Sequence, residues 1–170
     1  MLDYSREWKP RLEQIALNEL VGEVCAAARA DLRQKGIDLI VEQDANISSA
    51  SVDVEALRQV LDNLLVNAAD AVAGTVEGEG GIIKVLTRQL KHGDCQLIVN
   101  DNGCGIAPEH LEAIFIPHFS TKGEQGNGLG LASAKKQLNG MGGDIKAESM
   151  PGKGSTFTIT VPSKATQLSN

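Results

Sequence analysis

Asn63 and Asn67 stand at i and i+4 in "DNLLVNAADAV" (62–72), beside a run of apolar residues. Side chains at that spacing share one helix face. Asn is a mediocre helix former, and a buried amide must find a partner. Either the pair makes structural hydrogen bonds at a helix edge, or it offers hard oxygens to Mg²⁺. That ion takes few protein ligands and keeps its waters and phosphate oxygens. A second constellation is "LIVNDNGCGI", where Asp101 follows an apolar strand pattern and precedes Gly103 and Gly105. A carboxylate there can accept from a ligand donor, and glycines let a flat ring approach the backbone; a tight Asp-Gly turn is the alternative. A third is "GNGLGLA" (126–132), where Gly126, Gly128 and Gly130 open a helical pattern. The free N–H groups and dipole of a helix start favour phosphate, whereas a plain loop would also explain the glycines.

Several chemistries are excluded. Gly103 and Gly105 occupy positions where an EF-hand loop needs oxygen ligands. Leu131 takes the last glycine position of a dinucleotide fingerprint, no apolar strand precedes it, and no Walker A sequence is present. Cys25, Cys95 and Cys104 have no metal-ligand spacing and read as free thiols of a reducing compartment.

The elements that must position these groups follow from periodicity. Apolar residues at 3–4 spacing predict helices over 18–35 and 53–73, with a third over about 129–139 and Gly140 beyond its end. Alternation predicts a strand at 37–42, a hairpin of 82–90 and 95–100, and a second hairpin across "MPGKG" (150–154). Pro108 fits the first turn of a short helix through Phe115, and "MLDYSREWKPRL" reads as a helix end stopped near Pro10. These elements predict an α+β sandwich. The chain has 170 residues, 42% hydrophobic and 22% charged, which suits one globular domain; aromatics at 3% require an aliphatic core. A net charge of −6 argues against non-specific binding to nucleic acid or anionic lipid. No 18-residue apolar run or signal peptide is visible, so a cytoplasmic location is expected.

Taken in order, these motifs resemble the ATP-binding catalytic domain of sensor histidine kinases, in the GHKL superfamily that also holds gyrase-type and Hsp-type ATPases. "LRQVLDNLLVNAADAV" is similar to that family's N box, "DNGCGI" to its first G box and "IFIPHFSTK" to its F box. "GNGLGLA" is similar to its second G box, and "GKGSTFTITVP" to its closing segment. The resemblance covers residues 53–162.

It implies a Bergerat-type fold, a two-layer α/β sandwich with a mixed sheet packed against about three helices, and with ATP and Mg²⁺ between them. By this resemblance Asp101 would accept from the adenine amino group, Gly103, Gly105 and Ile106 would line the base, and Thr156 would complete a water-mediated contact. Asn67 would hold Mg²⁺ with Asn63 beside it. Thr121, Gly126, Asn127, Gly128, Leu129, Gly130 and Leu131 would form the phosphate side and lid. The ATPase branch has a glutamate where Asn63 stands; an amide cannot activate water, which favours phosphoryl transfer over hydrolysis.

Three departures matter. Asp70 stands where one common pattern has Lys or Arg facing phosphate. Only "GEQ" separates Lys122 from Gly126, so Lys122 would supply the missing cation, as in the short-lid nitrogen-regulation-type subclass; a solvated loop lysine is the alternative. Neither His92, His110 nor His118 has the context of a phosphoacceptor, and each reads as a surface or packing residue. "MLDYSREWKP" is similar to the end of a dimerisation and phosphoacceptor hairpin. Residues 1–16 would then be that helix end and a linker, 17–163 the ATP-binding domain, and 164–170 a frayed tail.

The expectation is a monomeric piece of a homodimeric kinase that passes phosphate to a histidine on its own separate phosphoacceptor domain, for relay to a response regulator. Its Gly and polar content predicts mobility over 120–127 without ligand. The competing readings are a gyrase or mismatch-repair type ATPase, a serine kinase of the anti-sigma type, and a nucleotide-binding module without transfer activity.

Overall fold

The computed structural model describes residues 7–75, 80–120 and 128–164. Seven strands and three α-helices are present among them: β1 (Glu13–Ala16), α1 (Leu17–Gln34), β2 (Ile37–Gln43), β3 (Ser49–Val52), α2 (Val54–Ala73), β4 (Gly81–Gln89), β5 (Cys95–Asp101), α3 (Gly130–Gly140), β6 (Asp144–Met150) and β7 (Gly154–Val161). The main sheet has the order β2-β4-β5-β7-β6. β2 and β4 run parallel, and every other neighbouring pair is antiparallel. The helices cover one face, which makes the expected two-layer α/β sandwich.

Local chemistry explains the main elements. In α2, Leu57, Val60, Leu61, Leu64, Leu65, Ala68 and Val72 form the buried stripe. Asp53 caps that helix, its carboxylate accepting the Ala56 N–H at 3.0 Å and the Arg11 N–H at 2.8 Å; such a cap contributes about 1 kcal/mol. In β5 the buried residues are Cys95, Leu97, Val99 and Asp101. A period of two therefore carries Asp101 onto the covered face at the strand's end. β7 places Ser155, Phe157, Ile159 and Val161 on that same face.

Three expectations are corrected, and one element is new. Residues 108–115 are two short 3₁₀ turns, at Pro108–His110 and Ala113–Phe115, rather than one helix. Ile116 is already extended, as a residue before proline prefers. Gly140 is the last residue of α3, not beyond it, and a Cβ there would lie 2.8 Å from the ring of Trp8. Residues 7–12 form no helix, while residues 1–6 and 165–170 lie outside the described residues. Finally, β1 and β3 form a separate two-stranded antiparallel sheet that periodicity did not reveal. Each has four residues, and their partners are distant in the chain, so no local pattern marks them. The expected mobility over 120–127 falls, beyond Ser120, on residues outside the description. Among the described residues no helix is long and apolar enough to cross a membrane.

Candidate active site

Asp101 forms the floor of a cavity of about 850 Å³ between α2 and the sheet. It is only 3% exposed. Its carboxylate accepts the Gly103 N–H at 2.8 Å. Burial pushes its pKa above the ordinary carboxylate value, and the Gly103 and Ser155 backbone N–H groups partly offset that rise. A buried acceptor of this kind suits a ligand that brings a donor to it.

The loop after β5 closes against two other elements. Cys104 donates its N–H to the Ala71 carbonyl at 3.0 Å, and Gly152 donates to the Cys104 carbonyl at 2.7 Å. A Cβ at Gly103 would sit 2.6 Å from the Ala71 backbone, so only glycine permits that approach. Gly105 has φ +73, and a Cβ there would meet the Met150 carbonyl at 2.2 Å. Gly105 and Ile106 line the cavity, whereas Gly103 lies against α2 beneath the loop.

One face of α2 forms a wall. Asn63, Asn67 and Asp70 all line the cavity, together with Ala71. The start of α3 stands opposite: a Cβ at Gly130 would lie 3.8 Å from the Asn63 amide. Gly128 has φ +67, and its carbonyl accepts the His118 N–H at 3.1 Å. That bond brings the two ends of the intervening segment together at the mouth. The 11-residue helix α3 begins here with first-turn N–H groups that have no partner within the helix. A phosphate would find both those donors and the helix dipole.

The sequence-predicted residues Asn63, Asn67, Asp70, Asp101, Gly105, Ile106, Gly128, Gly130 and Leu131 thus share one cavity. Leu129 precedes α3 and is 41% exposed, outside the lining. Thr156 does not face the cavity. It lies on the other face of β7, where its hydroxyl accepts from the Asn100 amide at 2.8 Å. Ser155 occupies the cavity position instead, paired across the sheet with Asp101. Thr121, Lys122, Gly126 and Asn127 lie outside the described residues.

Sequence reasoning missed Ser155, although Phe157 two residues on marks the inward parity of β7. It also missed His110, whose ring lies 5.4 Å from that of Phe119; both line the cavity. Only the fold of the 3₁₀ segment turns His110 inward. A second, shallower cleft of about 550 Å³ beside β6 holds Phe115, Lys135 and Glu148 but none of the amides or glycine loops. Among the described residues, no group of three or more His, Cys, Asp or Glu side chains could hold a metal. Any cation here would depend on amide and ligand oxygens, as Mg²⁺ beside phosphates does.

Residues 52–165, well over half of the chain, match the family described as histidine kinase-, DNA gyrase B-, and HSP90-like ATPase. The chain is 37% identical to the signal transduction histidine-protein kinase AtoS of Escherichia coli (strain K12) over 95% of its own length and 26% of AtoS. It is 35% identical to the sensor histidine kinase ZraS of Klebsiella oxytoca, over 95% of its own length and 34% of ZraS. It therefore spans about a quarter to a third of these two relatives. The catalytic domain of histidine kinase ThkA superposes with a TM-score of 0.78 at 32% identity, covering 90% of this chain and 96% of that one. ThkA is also known in complex with the response regulator protein TrrA; that kinase chain aligns with a TM-score of 0.75 at 29% identity, over 91% of this chain and 42% of its own. With its motifs gathered around one cavity and its whole sandwich matched, the chain belongs to the histidine kinase-, DNA gyrase B- and HSP90-like ATPase family, as a catalytic domain of the histidine kinase kind.

Proposed function

We propose that this domain binds MgATP and transfers the γ-phosphoryl group to a histidine on the phosphoacceptor domain of the same full-length protein, for relay to a response-regulator aspartate. The observation that carries this reading is the cavity itself, with a buried acceptor, Asp101, at one end and the Asn63–Gly130 pair at the other. Asp101 accepts from the adenine amino group while Ile106, Leu131 and Phe157 enclose the ring. Asn67, with Asn63 beside it, would hold Mg²⁺ through amide oxygens, and the ion would supply positive charge against the phosphates.

The protein's own contribution is positioning and electrostatics. The first N–H groups of α3 hold phosphate oxygens and aim the terminal phosphorus at the mouth of the cavity. There an imidazole nitrogen of the incoming histidine forms the new N–P bond as the bond to the β-phosphate oxygen breaks and ADP leaves. Asn63 has no basic lone pair with which to take a proton from water, so hydrolysis is not assisted. Among the described residues no lysine or arginine lines the cavity, and Asp70 adds negative charge. That supports the assignment of Lys122 as the cation that reaches the β- and γ-phosphates.

The test is incubation of the domain with γ-labelled ATP and the separately produced phosphoacceptor domain. The expected product carries label that is stable in alkali and lost in acid, as a phosphohistidine is. Release of inorganic phosphate without protein labelling would instead establish an ATPase. Absence of nucleotide binding would leave only a scaffold.

A further inference from the structure

The register of the sheet sets three side chains in one row: Asp101 on β5, Ser155 on β7 and Ser149 on β6. Ser149 Oγ donates to the Gly154 carbonyl at 2.8 Å and accepts the Ile106 N–H at 2.7 Å. It also lies 2.9 Å from Ser155 Oγ. A serine hydroxyl has one hydrogen and two lone pairs. The hydrogen of Ser149 is committed to Gly154, so the hydrogen between the two hydroxyls comes from Ser155. Ser155 Oγ is thereby left to face the cavity as an acceptor only.

We infer that Ser149 is a positioning residue for base recognition. Through Ser155 it makes the deep end of the cavity present two acceptors side by side, the Asp101 carboxylate and the Ser155 hydroxyl oxygen. This rests on the nucleotide-binding reading and adds the residue that orients the hydroxyl beside Asp101. A purine with a 6-amino group brings two N–H donors on one nitrogen, one for each acceptor directly or through a bridging water. A 6-oxo purine brings an oxygen acceptor to the same two acceptors. The buried groups are then left unpaired, which is how polar sites reject close analogues. The same hydroxyl of Ser149 fixes Ile106, so base enclosure and hydroxyl orientation are set by one side chain.

The test is calorimetric titration of the domain with ADP and with inosine diphosphate, in Mg²⁺, for wild type, S149A, S155A, S149A/S155A and S149T. Loss of one neutral hydrogen bond is worth about 3–10-fold in affinity. S149A is expected to weaken ADP by that factor and to leave inosine diphosphate unchanged or bound more tightly, because the released Ser155 hydroxyl can donate to the 6-oxo oxygen, so the ratio falls. S155A should lower the ratio too, the double variant should be no worse than S155A alone, and S149T should restore the ratio because it keeps the hydroxyl. A merely structural role for Ser149 would weaken both ligands together. An unchanged ratio in S149A, or additive losses in the double variant, would overturn the inference. If S149A proves unstable, S155A decides alone, since it leaves the Ile106 and Gly154 bonds in place: an unchanged ratio there overturns the inference. A wild-type domain that binds no ADP would overturn the nucleotide reading and this inference with it, an outcome distinct from binding with an unchanged ratio.

Discussion

The N–H of Cys104 donates to the carbonyl of Ala71 at 3.0 Å, which hangs the glycine loop after β5 from the last turn of α2. One helix therefore both displays the Asn63, Asn67 and Asp70 face and holds the loop that borders Asp101. The spacing between the two ends of the cavity is set by that helix, a rod with a rise of about 1.5 Å per residue. Rigid placement of this sort lets an active site work by positioning.

Asp101→Asn separates binding from stability. The amide keeps an oxygen for the Gly103 N–H but loses the charged acceptor. ADP affinity should fall about 10–100-fold, as for a lost charge-assisted hydrogen bond. The unliganded variant should melt higher than wild type near neutral pH, because a buried carboxylate with a raised pKa resists ionisation. Calorimetry and thermal unfolding on the same samples check both halves. A variant with wild-type affinity would show that Asp101 does not touch the base.

The pH dependence has a definite sign. Folding raises the pKa of Asp101, so its cost to stability is absent below the unfolded value, grows as pH rises from that value to the folded one, and is fully present above it. The melting advantage of Asp101→Asn should accordingly shrink as the solution is acidified. ADP binding should run the other way, weakening as pH falls through the raised pKa and the carboxylate protonates. Paired titrations across pH 4 to 8 (about the range spanning a shifted carboxylate) would reveal a flat profile if Asp101 is not the titrating group.

Asn67→Ala should remove the Mg²⁺ dependence of nucleotide binding rather than binding itself. In chelator the variant and wild type should bind ADP alike. With Mg²⁺ present, wild type should gain about tenfold or more over the variant, the equivalent of one charge-assisted contact. Equal enhancement by Mg²⁺ in both proteins would move the metal role to another group.

Gly105→Ala tests the backbone of the loop. The residue sits at φ +73, and its Cβ would meet the Met150 carbonyl at 2.2 Å. The left-handed strain and the clash together should cost about 1–3 kcal/mol or more. Denaturant unfolding should show the loss, with weaker ADP binding because the loop lifts away from β6. Unchanged stability would mean that the loop has room to move.

Gly140→Leu tests the packing of the segment before β1. Trp8 is the only tryptophan, 36% exposed, with its ring over Gly140. A side chain at position 140 must displace that ring into water, which should shift its emission to the red while ADP affinity stays unchanged. An unmoved emission maximum would show that Trp8 is not docked there in solution.

Much of this architecture is a local property of the chain. The 3–4 periodicity of α2 fixes which residues are buried, and with them the face that carries Asn63, Asn67 and Asp70. Alternation along β5 brings Asp101 inward after Cys95, Leu97 and Val99, and the glycines after it permit approaches that no other residue allows. These features depend on neighbours a few residues away, so the amino-acid order alone determines them. Ser155 shares the inward parity of Phe157, a local signal, but that it stands beside Asp101 was decided by the sheet, because a slip in register would pair Asp101 with another residue. His110 entered the cavity only because residues 108–115 became 3₁₀ turns packed beside Phe119. The short sheet of β1 and β3, and the row of Asp101, Ser155 and Ser149, arise from pairings between distant segments. Such pairings follow from cross-strand register, which exists only once the tertiary structure has formed.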